Sequence, residues 1–285
     1  MTQVNRKWFV VTGSTGGIGS EICQILASQG CDLVLVNRSS SSAAAQQSKL
    51  RAAHSHLAIE TVTADFMDTA SVAGAIAEIS ALPGRIDALY NVAGVLNATK
   101  ILSAQGYESH FAINLLAPYQ LLRGLREHTA RSSEARAAVV VNFSSSAIHR
   151  QKRLDLDTLV NPDEVTGLMG TYAQSKLALT ALSAALATEL KADNILIRAV
   201  DPGATKSAMT TQNASMPWLL KWLAPLVFAN ADKQALKVVN AAEPLAFESG
   251  TGIFVANQKQ KPLPKAAADP QAWQQLVALL DRCLG

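Results

Sequence analysis

Tyr172 and Lys176 lie four residues apart in the segment TYAQSKLAL. On a helix, this spacing puts the phenol and the ammonium on one face, one turn apart. A nearby cation favours the phenolate and lowers the tyrosine pKa from about 10 towards the working pH. A tyrosine in that state can act as a general acid/base. Because this spacing is common by chance, the pair becomes informative only together with the motifs that precede it.

A glycine-rich turn, TGSTGGIG, follows the first predicted strand, with Gly13, Gly17 and Gly19 in the spacing G-x-x-x-G-x-G. Glycine permits positive φ and removes the Cβ atom where a pyrophosphate touches the backbone. The N-terminus of the following helix offers free N–H groups to phosphates. The turn therefore predicts a dinucleotide site rather than an ordinary strand-to-helix turn. The residues expected to line it are Ser14, Thr15 and Ile18.

The end of the second predicted strand carries Asn37, followed by Arg38 and Ser39. An NAD-binding unit usually has a carboxylate here, which accepts hydrogen bonds from the ribose hydroxyls. A carboxylate would repel a 2′-phosphate, whereas a guanidinium can bind one through two parallel hydrogen bonds. The alternative is a solvated surface arginine. We expect this segment to select NADP(H) over NAD(H).

Composition excludes several classes of protein. The chain has 285 residues, is 49% hydrophobic and 16% charged, and carries a net charge of +3 without a Lys/Arg-rich block, so we expect neither a disordered chain nor nucleic-acid binding. Cys23, Cys31 and Cys283 have no metal-ligand spacing, which predicts reduced thiols and no metal site. No signal-peptide pattern is present, and no apolar run reaches the roughly 18 residues of a membrane span. We expect a cytoplasmic protein.

Apolar strands alternate with helices along the whole chain. Predicted strands cover residues 7–12, 32–36, 58–63, 86–91, 137–143, 195–200 and 253–256, and predicted helices cover 17–29, 42–54, 69–80, 103–128 (broken near Pro118) and 171–191. This order predicts an α/β fold with one doubly wound, Rossmann-type parallel sheet of about seven strands and helices on both faces. No linker interrupts residues 1–285, so we expect one domain. The segments near 147–170 and 206–230 follow strand ends and are the expected walls of a substrate site.

In this order, the glycine pattern, the serine run Ser144–Ser146 and the Tyr/Lys pair resemble the short-chain dehydrogenase/reductase family over nearly the whole chain. Other matching pieces are Asp65 after strand three, Asn91-Val92-Ala93-Gly94 after strand four (the family has NNAG), Asn114 in the long helix, and Asp201-Pro202-Gly203 after strand six. The long interval between serine and tyrosine, which contains RLDLDTL, and the string YAQSKLAL resemble the retinol-dehydrogenase branch.

The resemblance implies roles for particular residues. Tyr172 exchanges a proton with the substrate oxygen, Lys176 lowers the Tyr172 pKa and binds the nicotinamide ribose, Ser145 polarises the carbonyl, and Asn114 anchors a water that relays protons. The implied cofactor contacts are Asp65 and Phe66 at the adenine, Asn91, Ala93 and Gly94 on the adenine-ribose side, Pro202 and Gly203 at the carboxamide, and Ser207 or Thr205 where the family has a threonine. Ser144 and Ser146 stay open as alternatives to Ser145.

Three weaker signals have ordinary explanations beside functional ones. His110, His128 and His149 are candidate acid/base groups, but the Tyr/Lys pair already supplies that function, so we expect them at the surface or in supporting positions. Trp218 and Trp222 are four apart and could form a lid, a membrane-surface patch, a subunit contact or local packing. The helix 171–191 is apolar nearly all round, which predicts a homo-oligomer, a dimer or tetramer, through the side that the sheet leaves free.

The sequence therefore predicts an NADP(H)-dependent oxidoreductase that interconverts a carbonyl and an alcohol on an apolar small molecule. The apolar wall is expected from Leu96, Ile148, Met169, Met209, Met216, Trp218, Leu219 and Leu220. One alternative is a non-catalytic dinucleotide-sensing or scaffold protein on the same fold. Another is a sugar-nucleotide epimerase or dehydratase, which the glycine spacing and the lack of a large C-terminal substrate domain disfavour.

Overall fold

The computed structural model describes residues 6–129, 136–203, 230–248 and 250–285. Eight strands form one sheet in the order β3-β2-β1-β4-β5-β6-β7-β8. The strands are β1 (Lys7–Thr12), β2 (Asp32–Asn37), β3 (Ile59–Thr63), β4 (Arg85–Asn91), β5 (Ala138–Phe143), β6 (Ile195–Asp201), β7 (Ile253–Ala256) and β8 (Lys259–Lys261). The first seven are parallel, and β8 adds to β7 in the antiparallel sense. The α/β fold with a mostly parallel sheet is confirmed.

Helices cover both faces of the sheet. The α-helices are α1 (Gly17–Ser28), α2 (Ser40–Ala53), α3 (Thr69–Ser80), α4 (Ser109–Phe111), α5 (Ala117–Leu125), α6 (Leu156–Leu159), α7 (Thr171–Ala185), α8 (Ala187–Ala192), α9 (Ala231–Ala242) and α10 (Pro270–Leu284). One core contains side chains of α3, α5, α7 and α10, and the other contains side chains of α1, α2 and α9. Because both faces are buried, the central strands are apolar without alternation, and all six residues of β5 are buried.

The helix predicted at 103–128 begins later than expected and has a different irregularity. Gly106 adopts a positive φ of 80°, and an isolated bridge joins Leu102 to Glu108, so the segment before α4 forms a turn. A π-helical stretch, Ala112–Leu116, connects α4 to α5. Pro118 lies in the first turn of α5, where a proline is tolerated, and the predicted break there is absent.

The helix predicted at 171–191 is divided into α7 and α8. The side of α7 that the sheet leaves free packs against α10, whose Leu276 and Leu280 are fully buried. Tyr107 donates a hydrogen bond to the Cys283 carbonyl on α10. The homo-oligomer prediction depended on a free apolar side of α7. Because α10 of the same chain covers that side, α7 no longer supports the prediction.

Helix α10, helix α9 and strand β8 were absent from the sequence-based prediction, although the chain ends in a well-formed amphipathic helix. Within the described ranges, no helix has both the length and the apolar character that crossing a membrane requires. The predicted wall and lid at 206–230 lie outside the described residues, apart from Asn230, as do Thr205, Ser207, Trp218 and Trp222.

Candidate active site

The glycine turn lies between β1 and α1, against the loop that follows β4. Gly13 has a positive φ of 65°, and a Cβ atom on it would lie 2.9 Å from the Cα atom of Ala93. A Cβ atom on Gly19 would collide with the carbonyl of Gly13. Gly17 begins α1 after the N-cap residue Gly16, and no side chain caps this helix. The first N–H groups of α1 therefore stay available to an anion.

Asn37, the last residue of β2, holds this turn from within the protein. It is 5% exposed, and its Oδ1 accepts hydrogen bonds from the Thr15 backbone N–H (3.1 Å) and hydroxyl (3.2 Å). Its Nδ2 donates to the Ser14 hydroxyl at 2.7 Å, and that hydroxyl donates to Gln46 at 2.8 Å. The side chains of Asn37 and Ser14 thus organise the turn, which corrects the expectation that they face the cofactor.

Arg38 and Ser39 follow at the carboxyl end of β2 and are exposed. The Ser39 hydroxyl accepts a hydrogen bond from the Ser42 N–H and caps α2. Arg38 makes no hydrogen bond or ion pair with the described part of the chain, so its guanidinium is free to bind a phosphate.

Thr12 fixes the loop after β4, and the sequence analysis missed it. Its Oγ1 accepts hydrogen bonds from the backbone N–H groups of Val92 (3.0 Å) and Ala93 (3.1 Å). The same hydroxyl donates to the Tyr90 carbonyl at 3.3 Å. A threonine immediately before the first glycine of the turn was the available signal. Thr12 holds the loop at the distance that Gly13 needs for its close approach to Ala93.

Asn91 and Asp65 also make contacts within the protein. Asn91 is buried and donates to the Asn142 side chain at 2.8 Å, which in turn donates to Ser183 on α7 at 3.0 Å. The Asp65 carboxylate accepts a hydrogen bond from the Met67 N–H at 2.9 Å. Phe66 packs partly buried against the core. These residues stand at the strand ends where the sequence analysis expected them.

Ser145 is the member of the serine run that meets Tyr172. Its hydroxyl is near enough to lower the pKa of Tyr172, and it accepts a hydrogen bond from the Ala147 N–H at 3.3 Å. The Ser144 hydroxyl is buried and lies 2.7 Å from the Thr180 hydroxyl, on the interior side of α7. Ser146 is exposed. The geometry therefore distinguishes Ser145 from its two neighbours.

Lys176 and Asn114 converge on the backbone of Gly94. The Lys176 ammonium is 3% exposed, lies 6.0 Å from the Tyr172 ring centroid, and donates to the Phe143 carbonyl at 2.9 Å. Asn114, in the π-helical stretch, accepts from the Val95 N–H at 2.8 Å and donates to the Val95 carbonyl at 3.1 Å. A Cβ atom on Gly94 would lie 3.0 Å from Asn114 Oδ1 and 3.4 Å from Lys176 Nζ.

The electrostatics of the Tyr/Lys pair differ from the sequence-based expectation. Burial raises the pKa of Tyr172, the hydrogen bond to Ser145 opposes this shift, and the nearby Asp201 carboxylate adds to it. Burial also lowers the pKa of Lys176 to about 8. The expected lowering of the Tyr172 pKa is therefore wrong for the protein alone, because desolvation outweighs the opposing effect of the Ser145 hydroxyl.

The turn after β6 brings Pro202 and Gly203 to the same edge of the sheet. The Asp201 carboxylate accepts a hydrogen bond from the Gly203 N–H at 2.9 Å. Gly203 has a positive φ of 81°, and a Cβ atom on it would lie 2.7 Å from the Gln234 side chain on α9. This turn therefore requires glycine.

The three candidate histidines lie in different surroundings. His110 is 1% exposed, and its ring centroid is 6.2 Å from that of Tyr172. His149 is exposed and its ring packs on Phe254, and His128 lies in a short 3₁₀ turn after α5.

In the predicted apolar wall, Met169 is 42% exposed, but Ile148 is fully buried in the core and lines no open surface.

The described residues contain no group of three or more His, Cys, Asp or Glu side chains that could hold a metal ion. The polar groups around Tyr172 include hydroxyls, amides, the Lys176 ammonium and the Asp201 carboxylate, together with backbone N–H groups. Such a set can bind an anionic dinucleotide, polarise a carbonyl oxygen and transfer a proton.

The family model for short chain dehydrogenases matches residues 7–154 and 160–218, and the chain belongs to this family. Within it, the chain is retinol-dehydrogenase-like: retinol dehydrogenase 12 from Homo sapiens is 28% identical over 79% of this chain and 70% of that protein. A polyprenol dehydrogenase from Danio rerio is 27% identical over 98% and 88%. Dehydrogenase/reductase SDR family member 13 from Bos taurus is 31% identical over 94% and 70%.

Solved structures agree on the fold. A protein from Mycobacterium paratuberculosis superposes with a TM-score of 0.74 at 22% identity, over 98% of this chain and 93% of that one. The blue fluorescent protein from a metagenomic library, in complex with NADPH, gives a TM-score of 0.69 at 26% identity, over 90% and 98%. The chain is therefore an oxidoreductase of the short-chain dehydrogenase family.

Proposed function

We propose that the protein is an NADP(H)-dependent oxidoreductase that interconverts a carbonyl and an alcohol on an apolar small molecule, with Tyr172 as general acid/base. The observation that carries this proposal is the convergence of Ser145, Tyr172, Lys176 and Asn114 beside the glycine turn. A dinucleotide sensor or scaffold would not need this set of proton-transfer groups. The set therefore favours an enzyme over the non-catalytic alternative.

A nicotinamide dinucleotide fits the residues on this edge. The glycines of the turn have no Cβ atom where a pyrophosphate would approach the backbone, and α1 begins there with free N–H groups. The β2 end presents the exposed Arg38 and no carboxylate, which suits a 2′-phosphate. Further residues that would hold the cofactor are Ser39, Asp65, Phe66, Asn91, Ala93, Gly94, Pro202 and Gly203, with Thr205 and Ser207 beyond the described range. The neighbour solved with NADPH supports the same choice.

When bound, the nicotinamide supplies a hydride to a carbonyl carbon or accepts one from an alcohol. Negative charge then grows on the substrate oxygen during reduction, and the hydroxyls of Ser145 and Tyr172 stabilise it by donating hydrogen bonds. Because burial raises the pKa of Tyr172, its phenol stays protonated and can give up that proton. Lys176 stabilises the phenolate that remains and has N–H donors left for ribose hydroxyls, while Asn114 anchors a proton-relay water.

An apolar substrate is supported by exposed apolar side chains in the segment that precedes Tyr172 and by the relatives. Leu168 and Met169, just before α7, are 41% and 42% exposed. Apolar side chains that are exposed together can form a binding surface for an apolar ligand. Relatives named polyprenol dehydrogenase and retinol dehydrogenase point to long apolar alcohols and aldehydes as the substrate class.

The test is a comparison of Tyr172→Phe with Tyr107→Phe. Tyr107 is the matched control, because its hydroxyl contacts the carbonyl of Cys283 on α10, away from the serine and lysine. Loss of absorbance of NADPH is followed with long-chain and aromatic aldehydes. We expect Tyr172→Phe to lower kcat by about 10²- to 10⁴-fold, with NADPH affinity retained, and Tyr107→Phe to match the parent.

Parent-like turnover in Tyr172→Phe would contradict the assignment of the acid/base. A parent protein that binds NADPH tightly and reduces no member of the panel would favour the sensor or scaffold.

A further inference from the structure

We infer that Glu108 and His110 are positioning residues that hold the loop Val95–Asn97 in place as the wall of the substrate site next to Tyr172. This inference rests on the proposed function, because it concerns the same site. Both residues are 1% exposed and lie at the start of α4. The sequence analysis expected His110 at the surface or in a supporting position and did not consider Glu108. The proposed proton transfer does not use either side chain.

Hydrogen bonds determine the tautomer of His110. Its Nε2 lies 3.0 Å from the backbone nitrogen of Asn97. A backbone N–H can only donate, so Nε2 must be unprotonated and accept. Its Nδ1 lies 3.1 Å from both carboxylate oxygens of Glu108 and therefore carries the proton. The ring is a neutral imidazole that accepts from the loop on one side and donates to Glu108 on the other.

The Glu108 carboxylate is itself fixed by further hydrogen bonds, besides its contact with the His110 ring. Its carboxylate also accepts from the Ser109 hydroxyl at 2.7 Å and from the His110 backbone N–H at 2.8 Å. Burial alone would raise the pKa of Glu108, but these hydrogen bonds outweigh burial and keep the pKa below its ordinary value. An ionised, fully hydrogen-bonded Glu108 allows His110 only the tautomer that accepts from Asn97.

The loop after β4 has no backbone hydrogen-bond ladder at 92–97, so side chains must fix it. Asn97 is held twice, by His110 at its N–H and by the Ser109 hydroxyl, which accepts from its side-chain amide at 2.8 Å. Val95 is held twice by Asn114. Leu96 lies between these two fixed residues, which makes its partly exposed side chain a defined part of the wall.

His110 also touches the reaction centre. Its ring packs edge-on against Tyr172, with 6.2 Å between the ring centroids. One imidazole therefore sets the position of the loop relative to the phenol that donates the proton. A shift of the loop would change how an apolar chain next to the carbonyl is held, and this effect belongs to substrate binding rather than to the proton transfer.

Two amide substitutions separate the two contacts of the imidazole. His110→Gln can place an oxygen where Nε2 accepts from Asn97, whereas His110→Asn can donate to Glu108 but is too short to reach Asn97. We expect His110→Asn to raise KM for a long-chain aldehyde about tenfold with kcat changed less than about threefold, and His110→Gln to restore KM to within about threefold of the parent. The control is His56→Gln, an exposed histidine remote from the site.

A second measurement does not depend on turnover. Amide hydrogen exchange of a peptide containing residues 95–97 should be faster in His110→Asn than in the parent, and near parental in His110→Gln. Parental KM and parental exchange in His110→Asn would overturn the inference. So would an equal loss of NADPH affinity and thermal stability in both variants, which indicates a general packing defect. If the parent turns over no substrate, the proposed function fails, while exchange still decides whether His110 holds the loop.

Discussion

Lys176 and Arg198 are both buried cations, but the protein surrounds them differently. Arg198, in β6, is fully buried and donates to the carbonyls of Gly250, Ala241, Glu243 and Pro244 at 2.6–2.8 Å. Lys176 is 3% exposed and donates to one described carbonyl, that of Phe143. Neither forms an ion pair with a carboxylate among the described residues. The two sites differ in how many of their N–H donors the protein uses.

Burial lowers the pKa of both groups, that of Arg198 to about 10 and that of Lys176 to about 8. Four carbonyls compensate the guanidinium for its desolvation and join β6 to the end of α9. The ammonium has three donors, and one of them is used by the described residues. The use of N–H donors by these residues, rather than burial alone, therefore distinguishes Arg198 from Lys176, and the proposed ribose contact would use the others.

The largest effect expected from changing either cation is the effect of replacing Lys176 on catalysis. Lys176→Met should lower kcat about 10²- to 10⁴-fold, because it removes the cation that stabilises the Tyr172 phenolate. At pH 7 the same variant should unfold at the same or a higher urea concentration than the parent, because it removes a charge that burial destabilises. Turnover of NADPH and urea unfolding, measured on the same preparations, check both expectations.

The pH dependence of the free energy of unfolding tests whether the buried charge of Lys176 destabilises the fold. The folded-state pKa of Lys176 is below its unfolded value, so between about pH 8 and 10.5 the unfolded chain binds more protons than the folded one. The contribution of Lys176 to stability is therefore unfavourable below pH 8 and is relieved as the pH rises through this window, by roughly 3 kcal/mol at most. The stability difference between Lys176→Met and the parent should shrink accordingly. A difference that grows with pH would contradict the buried, charged lysine.

The next effect is on folding. Arg198→Met should lower the free energy of unfolding by about 3–5 kcal/mol, because it takes the guanidinium away from one buried and three partly buried carbonyls. Arg198→Lys should lie between Met and the parent, since an ammonium cannot reach four carbonyls with the planar fork of a guanidinium. At temperatures where Arg198→Met is folded, its KM values should match the parent. Parental stability in Arg198→Met would remove the distinction between the two cations.

The smallest effect concerns a third cation, the exposed Arg38, which makes no ion pair with the described residues. Arg38→Ala should lower the preference for NADPH over NADH about tenfold, through loss of the 2′-phosphate contact, and should leave the unfolding midpoint unchanged. Arg282→Ala on α10 is the matched exposed control. Ratios of kcat/KM for the two cofactors check this expectation, and an unchanged ratio would assign the choice of cofactor to other residues.

Local patterns were enough to predict most of the elements. The bounds of β1 and α3 agree with the predicted 7–12 and 69–80, because a continuous apolar run and an amphipathic repeat are visible within the segment itself. The covering of α7 by α10 could not be predicted in this way. It depends on contacts between segments about a hundred residues apart, and an apolar helix face does not show whether its partner is a second chain or a later helix of the same chain.

The site was predicted as a set of residues but not as a set of contacts. Spacing placed Tyr172 and Lys176 on one helix, yet the direction of the Tyr172 pKa depends on how much of the protein surrounds the phenol. Asn37 stands at the predicted strand end, but its amide turns inward to Thr15 and Ser14. The resemblance to the family named Ser145 and left Ser144 open, and the structure adds that the Ser144 hydroxyl lies against Thr180 in the interior.

The π-helical stretch Ala112–Leu116 amounts to one surplus residue in an otherwise regular helix. Deleting any one of its five residues would restore normal winding and change the directions in which the residues of the stretch point. Asn114 would then lose its alignment with Val95, even if α5 kept its contacts with the core. Single-residue deletions here should therefore be tolerated less well than substitutions, and the length of this stretch is as much a part of the site as its side chains.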